Sequence, residues 1–150
     1  ISKENLETEK QLNDTIYTAN ETILQDLERV LKGNSNLLTA LIREEYYKFS
    51  TQKAELQSKV AQAQINYNRY KTLFDKGVIA KAEFEKYQFD LQFTKQALNS
   101  FVKQQMANWQ NKKNELTLQL KNITGNNNKL SIEAQKLCAD CSCNRNHRKF

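Results

Sequence analysis

Residues 69–87 decide the fold, and they read Arg-Tyr-Lys-Thr-Leu-Phe-Asp-Lys-Gly-Val-Ile-Ala-Lys-Ala-Glu-Phe-Glu-Lys-Tyr. Two long helical patterns meet here at a short break around Gly77. Glycine accepts the left-handed conformation that commonly closes a helix, and Val78 follows where a helix-ending motif often places an apolar contact. A second helix can begin after Ala80, although alanine offers no side-chain cap. The stretch therefore predicts the tip of a helical hairpin at residues 75–80.

Apolar and aromatic residues recur at spacings of three and four on both sides of this tip. The first arm carries Leu38, Ile42, Tyr46, Phe49, Lys53, Leu56, Val60, Ala63, Tyr67, Tyr70 and Phe74, and the second carries Phe84, Tyr87, Leu91, Thr94, Leu98, Phe101, Gln105, Trp109, Lys112, Leu116 and Leu120. Such spacing is typical of a coiled-coil seam. Two independent amphipathic helices in phase are the alternative.

The two arms also match in their irregularities. When each seam residue of the first arm is paired with the one expected to face it on the second, the two residue numbers add to a nearly constant sum. The irregular spacing at the base of the first arm also recurs in reverse order in the second. Lys53 is expected to face Gln105, and Tyr46 to face Lys112, as polar layers that fix the register. We therefore predict an all-α fold, a long antiparallel coiled-coil hairpin over residues 36–124 with an additional N-terminal helix.

The segments outside the hairpin are read from their helix-stop signals. A helix within residues 1–35 is expected to pack beside the hairpin base as a partial three-helix bundle, or to form a bent continuation of the first arm. Ser35 or Asn36 is expected to cap the next helix. The run from Gly125 to Asn128 is expected to end the second arm, which leaves residues 125–137 as an exit segment.

Composition bounds the class of protein. The chain has 150 residues, no proline, 3 glycines and a mean hydropathy of −0.80, which suits long helices with narrow apolar seams rather than a broad core. No apolar run is long enough to span a membrane. The chain begins at Ile1, and we interpret it as a piece of a longer protein. The net charge of +6 is interspersed with carboxylates, so we expect no nucleic-acid partner.

The tail at residues 138–150 differs abruptly from the rest. It holds Cys138, Cys141, Cys143 and His147, which are all the cysteines and the only histidine of the chain. Three thiolates and an imidazole can bind zinc, but this spacing matches no familiar finger. We therefore expect an irregular tail, foreign to the rest of the sequence, and no metal, with a zinc module as the weaker alternative.

The sequence lacks the motifs of the common catalytic sites. It contains no Gly-rich phosphate loop, no His-Glu-x-x-His and no Gly-x-Ser-x-Gly. The carboxylates Glu44, Glu45, Glu83 and Glu85 are expected on exposed helix surface, and a two-helix hairpin cannot easily build the pocket that acid–base catalysis needs. We expect no catalytic residue, no enzyme activity and no cofactor.

The tip resembles that of bacterial periplasmic adaptors, or membrane fusion proteins, of the hemolysin-secretion family. Arg69 and Leu73 stand at the positions of the family's Arg-x3-Leu-x6-Ser/Thr pattern, and Ala80 stands where Ser or Thr is usual. The neighbouring Lys76, Gly77 and Val78 are also similar to the family's tip. The resemblance covers residues 36–124 and is most specific over 61–91.

This resemblance implies a place and partners for the chain. The parent would be anchored in the inner membrane of a Gram-negative bacterium, and its hairpin would project through the periplasm. The partners would be an inner-membrane transporter of the ABC type, an outer-membrane channel protein met by the tip, and further copies in a homo-oligomeric adaptor ring, in type I secretion or efflux. A generic coiled-coil scaffold is the alternative function.

The resemblance also assigns roles to residues of the tip and a hypothesis for the tail. Arg69 would hydrogen-bond to the channel or to a neighbouring adaptor, and Leu73 would supply apolar contact. From periodicity alone, Leu73 packs within the tip and Arg69 is a solvated charge. In this family a lipoyl-like β domain follows the hairpin. A one-base shift of the reading frame over residues 138–150 permits Ala-Pro-Ile-Ala, which resembles the opening of that domain, so we hypothesise a frameshift.

Overall fold

A computed structural model describes the backbone of residues 2–146 and the side chains of residues 2–142. It contains three helices, α1 (Lys3–Leu31), α2 (Ala40–Asp75) and α3 (Lys81–Asn146), and no strand within this described part. The predicted all-α fold class is confirmed. Among the described residues, none of the three helices has an apolar stretch long enough to cross a membrane.

Helices α2 and α3 form an antiparallel hairpin. Near the turn, the ring of Phe74 stacks on that of Phe84, with centroids 5.0 Å apart. Far from the turn, the ammonium of Lys112 lies 2.6 Å from the carboxylate of Glu45. With increasing distance from the turn, the contacting residues therefore have lower numbers on α2 and higher numbers on α3, as in an antiparallel pair. The 36 residues of α2 give this arm a length of about 54 Å.

The predicted seam is the buried face of both helices, with one exception. Every other seam residue is buried or half-buried, whereas Leu38 is 58% exposed and Leu37 is buried in its place. The prediction for Leu38 is wrong because residues 32–39 lie between two helices, where the helical spacing no longer decides which side chains face inward.

Helix α1 packs along the other half of α3. The amide of Asn13 donates to that of Asn127 at 3.1 Å, and the ammonium of Lys113 lies 3.4 Å from the carboxylate of Glu28. Helix α1 is therefore antiparallel to α3 and runs in the same direction as α2. Of the two arrangements left open, the structure has α1 as a bent continuation of the first arm, with three helices in contact only around the joint.

The joint between α1 and α2 holds the main core of the described chain. The buried cluster comprises Leu27, Val30, Leu37, Ile42, Phe49 and Trp109. Trp109 is 1% exposed and is among the largest fully buried side chains. A two-helix seam buries few side chains completely, and a third helix is what closes the core here.

A buried carboxylate of α1 holds the start of α2. Asp26 is fully buried and accepts hydrogen bonds from the backbone N–H of Leu38 at 3.0 Å and from the N–H and hydroxyl of Thr39 at 2.6 Å each. The prediction that Ser35 or Asn36 caps the second helix is wrong: Thr39 is the N-cap residue, and its side chain makes no cap bond. Asp26 instead satisfies backbone donors beside this N-terminus from another helix.

The surroundings of Asp26 also set its charge. Burial by itself raises the pKa of this carboxyl. The hydrogen bonds from Leu38 and Thr39 and the positive charge of Arg29 have the opposite effect and are stronger together, so the pKa lies below its ordinary value. The guanidinium of Arg29 lies 3.1 Å from the carboxylate. Asp26 therefore remains ionised in the folded protein at neutral pH.

Helix α3 continues through Gly125, so the prediction that the second arm ends there is wrong. Only Gly33 and Gly77 have positive φ among the described glycines, and Gly125 is helical. The reason is the tertiary contact of α1 with this stretch: Asn127 bonds to both Asn13 and Asp14. Packing against a partner helix overrides the low helix propensity of glycine and asparagine.

The predicted exit segment and irregular tail are corrected in the same way. Residues 125–137 are helical, and so is the part of the tail over residues 138–146. Beyond Asn128 no proline interrupts the helix. Residues 147–150 lie outside the described residues.

In one predicted polar layer, Lys112 has a different partner from the expected Tyr46. Lys112 pairs with Glu45 rather than facing Tyr46, which stacks on Trp109 with centroids 6.5 Å apart. The second oxygen of Glu45 accepts a hydrogen bond from the Trp109 indole at 3.2 Å. Glu45 was expected on exposed surface, and it is instead half-buried because two donors of α3 converge on it. Lys53 places its ammonium over its own helix's Phe49 ring, at 5.7 Å.

Candidate functional site: the hairpin tip

The turn at the tip is closed by a Schellman motif. Gly77 has φ of +71°, and its N–H donates to the carbonyl of Phe74 at 2.9 Å. The N–H of Val78 donates to the carbonyl of Leu73, also at 2.9 Å. These two bonds satisfy the last carbonyls of α2, as such motifs do. Gly77 therefore takes the left-handed position that the sequence predicts for it.

Helix α3 begins immediately after Ala80. The carbonyl of Ala80 accepts from the N–H groups of Glu83 and Phe84 at 3.1 and 3.2 Å, which opens the helix. Alanine supplies no side-chain oxygen for the free N–H groups of this first turn. The exposed start of α3 therefore presents backbone donors to solvent or to a partner.

Stacked aromatic rings hold the two helices together just below the turn. Tyr70 lies against Tyr87 with centroids 3.6 Å apart and planes at 9°, and Phe74 stacks on Phe84 at 5.0 Å. Tyr67 meets the same Phe84 ring at 5.5 Å. Aromatic pairs of this kind contribute about 0.5–1.5 kcal/mol each beyond the area they bury. They fix the relative position of the tip's two halves.

The tyrosine stack also perturbs one phenol. Hydrogen bonding to Tyr70 is the main cause that raises the pKa of Tyr87, and burial and the charges of Tyr70 and Glu83 act in the same direction.

The structure brings most of the predicted tip residues together on one exposed end. Arg69, Lys76, Gly77, Val78 and Ala80 are all exposed, and the Val78 side chain is 66% exposed. Most of the Val78 side chain is therefore open to solvent, although an apolar contact is expected after a helix-ending glycine. It offers a small apolar surface to solvent instead.

Leu73 is the one predicted tip residue that is not fully exposed. It is half-buried, and it lies one turn after Arg69 on the same face of α2. Part of the Leu73 side chain therefore packs within the tip, and part is open to solvent, where a partner could contact it. Arg69 makes no salt bridge within the described part of the chain.

Charge at the tip is moderately positive. Between residues 69 and 83 the cations are Arg69, Lys71, Lys76 and Lys81, against the carboxylates of Asp75 and Glu83. Lys81 pairs loosely with Glu85, at 3.7 Å. The tip suits a partner surface that offers carbonyls or carboxylates and a small apolar contact.

The cysteine-rich region provides no metal centre within the described residues. Cys138 and Cys141 lie exposed, three residues apart on α3. No group of three or more His, Cys, Asp or Glu side chains able to hold a metal occurs in the part of the chain that is described. The side chain of Cys143 and the whole of His147 lie outside the described residues.

Two exposed aromatic residues near the tip were not found from the sequence. Phe89 and Phe93 are 66% and 71% exposed on the outer side of α3. The sequence does contain a sign of this exposed pair, because both are large apolar residues, four positions apart, that do not belong to the predicted seam. The predicted seam of α3 does not include them.

Comparisons with known proteins give no relative for this chain. No family model matches it, and neither does a curated protein or a solved structure.

Proposed function

We propose that this chain is the helical hairpin of a periplasmic adaptor that links an inner-membrane transporter, of the ABC type, to an outer-membrane channel in secretion or efflux. The observation that carries the proposal is the tip. A long antiparallel hairpin ends in a turn that exposes Arg69, Lys76 and Val78, and the resemblance to hemolysin-secretion adaptors rests on Arg69 and Leu73 of this tip.

The tip is suited to docking by geometry. Arg69 has several N–H donors that can bind carbonyls at a helical tip of the channel, and Leu73 and Val78 add apolar contact. The family's hydroxyl is missing at Ala80, so the backbone N–H groups at the start of α3 are the donors left there. The chain would act as a spacer and a docking surface, with no reaction of its own.

Replacing Arg69 with Asp in the protein that contains this chain tests the proposal. We expect export through the channel to be lost while helicity by circular dichroism is unchanged, because Arg69 is exposed and makes no salt bridge among the described residues. Arg43→Asp is the matched control, since Arg43 is an exposed cation on the same helix but far from the tip.

The outcomes separate the two functions that the sequence left open. Loss of export in the Arg69 variant alone supports docking through the tip. Export at the wild-type rate in that variant would instead leave a coiled-coil scaffold, in which the tip only connects two helices. Equal loss in the Arg43 variant would point to a general effect of charge reversal.

A further inference from the structure

The contact between α1 and α3 has few buried residues beyond the joint. Over residues 7–25 of α1, every side chain is exposed or half-buried. Amide side chains join the two helices there. Asn13 donates to Asn127 at 3.1 Å. Further along, Asn20 donates to Gln119 at 3.4 Å. Water can replace neutral hydrogen bonds near solvent at little net cost, so this part of α1 is held less firmly than α2, whose seam is apolar and aromatic.

The part of α3 that faces this stretch is itself a weak helix. It contains Gly125-Asn126-Asn127-Asn128, four consecutive residues of low helix propensity. Within this run, Asn127 reaches α1, where it accepts from Asn13 and donates to Asp14 at 2.8 Å. The helical state of the run and its contact with α1 therefore depend on each other.

An apolar contact closes the far end of the same interface. Leu6 is 4% exposed, and it lines one small cavity together with Leu130 and Ala134 of α3. Leu12, which lies less than two turns further along α1, is 59% exposed. The interface between the joint and Leu6 thus consists mainly of polar pairs, with one buried leucine at its end.

The joint limits how far α1 can separate from α3. Asp26 is fully buried and accepts hydrogen bonds from Leu38 and Thr39 at the start of α2. Leu27 and Val30 belong to the buried cluster at the joint. A separation that begins at the N-terminal end of α1 therefore meets the main core at residue 26.

We propose that residues 3–22 of α1 and residues 117–137 of α3, here called the base unit, form a two-state switch. The closed state is the one seen here. In the open state, α1 separates from α3 and α3 breaks at Gly125–Asn128, while the hairpin and the joint stay folded. The two changes occur together because each removes the contact that stabilises the other. The break that the sequence predicts at this glycine is thus formed in the open state.

The switch changes the shape of the base of the molecule. In the closed state α3 is one continuous helix through the base unit. In the open state the chain can bend at Gly125, since a broken helix no longer transmits the direction of its axis. A partner that binds one state more tightly than the other shifts the balance between them. The switch itself needs no partner, and it is measured on the chain alone.

Hydrogen–deuterium exchange of the whole chain tests the switch. We expect the protection factors of residues 8–20 and 120–132 to be similar to each other, because one opening exposes both segments. They should be about tenfold or more below those of residues 42–52, which lie beside the main core.

Leu6→Ala weakens the contact from the side of α1 without lowering helix propensity. We expect it to reduce the protection of residues 120–132 about tenfold or more, although these residues are more than 110 positions away in the chain. Residues 42–52 should keep their protection. Leu12→Ala is the matched control, because the Leu12 side chain is largely exposed, and it should change neither segment.

Gly125→Ala acts from the side of α3. An added Cβ there has nothing within 4 Å, so it makes no new contact with α1 and only favours the helix. We expect the protection of residues 8–20 of α1 to rise about threefold. Ser100→Ala is the control, since it favours the helix at an exposed position of α3 that faces neither α1 nor the seam, and it should leave α1 unchanged.

Three results would overturn the switch. In the first, residues 8–20 are as protected as residues 42–52. In the second, Leu6→Ala or Gly125→Ala alters only the helix that carries it, which would mean that α1 frays alone. In the third, Leu12→Ala lowers protection as much as Leu6→Ala does, which would mean that the contact at Leu6 does not hold the closed state.

Discussion

The rings of Trp109 and Phe49 meet edge to face, with centroids 5.1 Å apart and planes at 69°. One ring belongs to each arm of the hairpin, at the level where α1 also reaches the core. This contact therefore links the pairing of α2 with α3 to the packing of the joint between α1 and α2, because both residues belong to the buried cluster at that joint.

Truncating Trp109 should therefore be the most costly change of a single seam residue. We expect Trp109→Ala to lower the free energy of unfolding by about 3–5 kcal/mol, as large-to-small changes of buried aromatic residues do. Urea unfolding followed by circular dichroism at 222 nm measures it. Tyr47→Ala is the control, since Tyr47 is an aromatic residue left 71% exposed, and its loss should cost little. Equal effects of the two changes would contradict the core described here.

Removing the Asp26 carboxylate should loosen the joint between α1 and α2. We expect Asp26→Ala to lower the free energy of unfolding by about 2–3 kcal/mol, because the N–H groups of Leu38 and Thr39 lose a charged acceptor in a buried place. Asp75→Ala, at an exposed aspartate near the tip, should change it by less than about 0.5 kcal/mol. Unfolding of both variants in urea gives the comparison.

The same carboxylate predicts a pH dependence. Its pKa in the folded protein is below the ordinary value of 3.8, so the unfolded chain binds the proton more readily. The stabilisation is then present in full above pH about 4–5 and is lost as the pH falls through the lower pKa of the folded state. We expect the stability difference between wild type and Asp26→Asn to shrink as the pH is lowered from 6 to about 2. A difference that stays constant would contradict ionisation of Asp26 in the folded state.

Two glycines should respond to alanine with opposite signs. Gly125 is helical with nothing within 4 Å of an added Cβ, so Gly125→Ala should stabilise the protein by about 0.5–1 kcal/mol. Gly77 has φ of +71°, so Gly77→Ala should destabilise it by about 1–2 kcal/mol despite the equally open space. Thermal unfolding of the two variants measures both. Destabilisation by Gly125→Ala would indicate that the helix breaks there after all.

The candidate site was partly readable from sequence. The turn at Gly77 follows from the local chemistry of glycine, and the structure has this turn and most of the predicted tip residues at one exposed end of the hairpin. The exposure of Phe89 and Phe93 was less accessible, because a spacing of four is also typical of buried residues. Which face of a helix is buried depends on where its partner lies.

The sequence by itself determined the all-α class, the turn at Gly77 and the register of the hairpin, because side-chain spacing and turn chemistry act over a few residues. Only the tertiary structure decided that α3 continues through Gly125 and that Asp26 holds the start of α2. Both depend on a partner helix far away in the chain. Packing against α1 compensates for the low helix propensity of a glycine, and N–H donors from the joint make a buried charge stable.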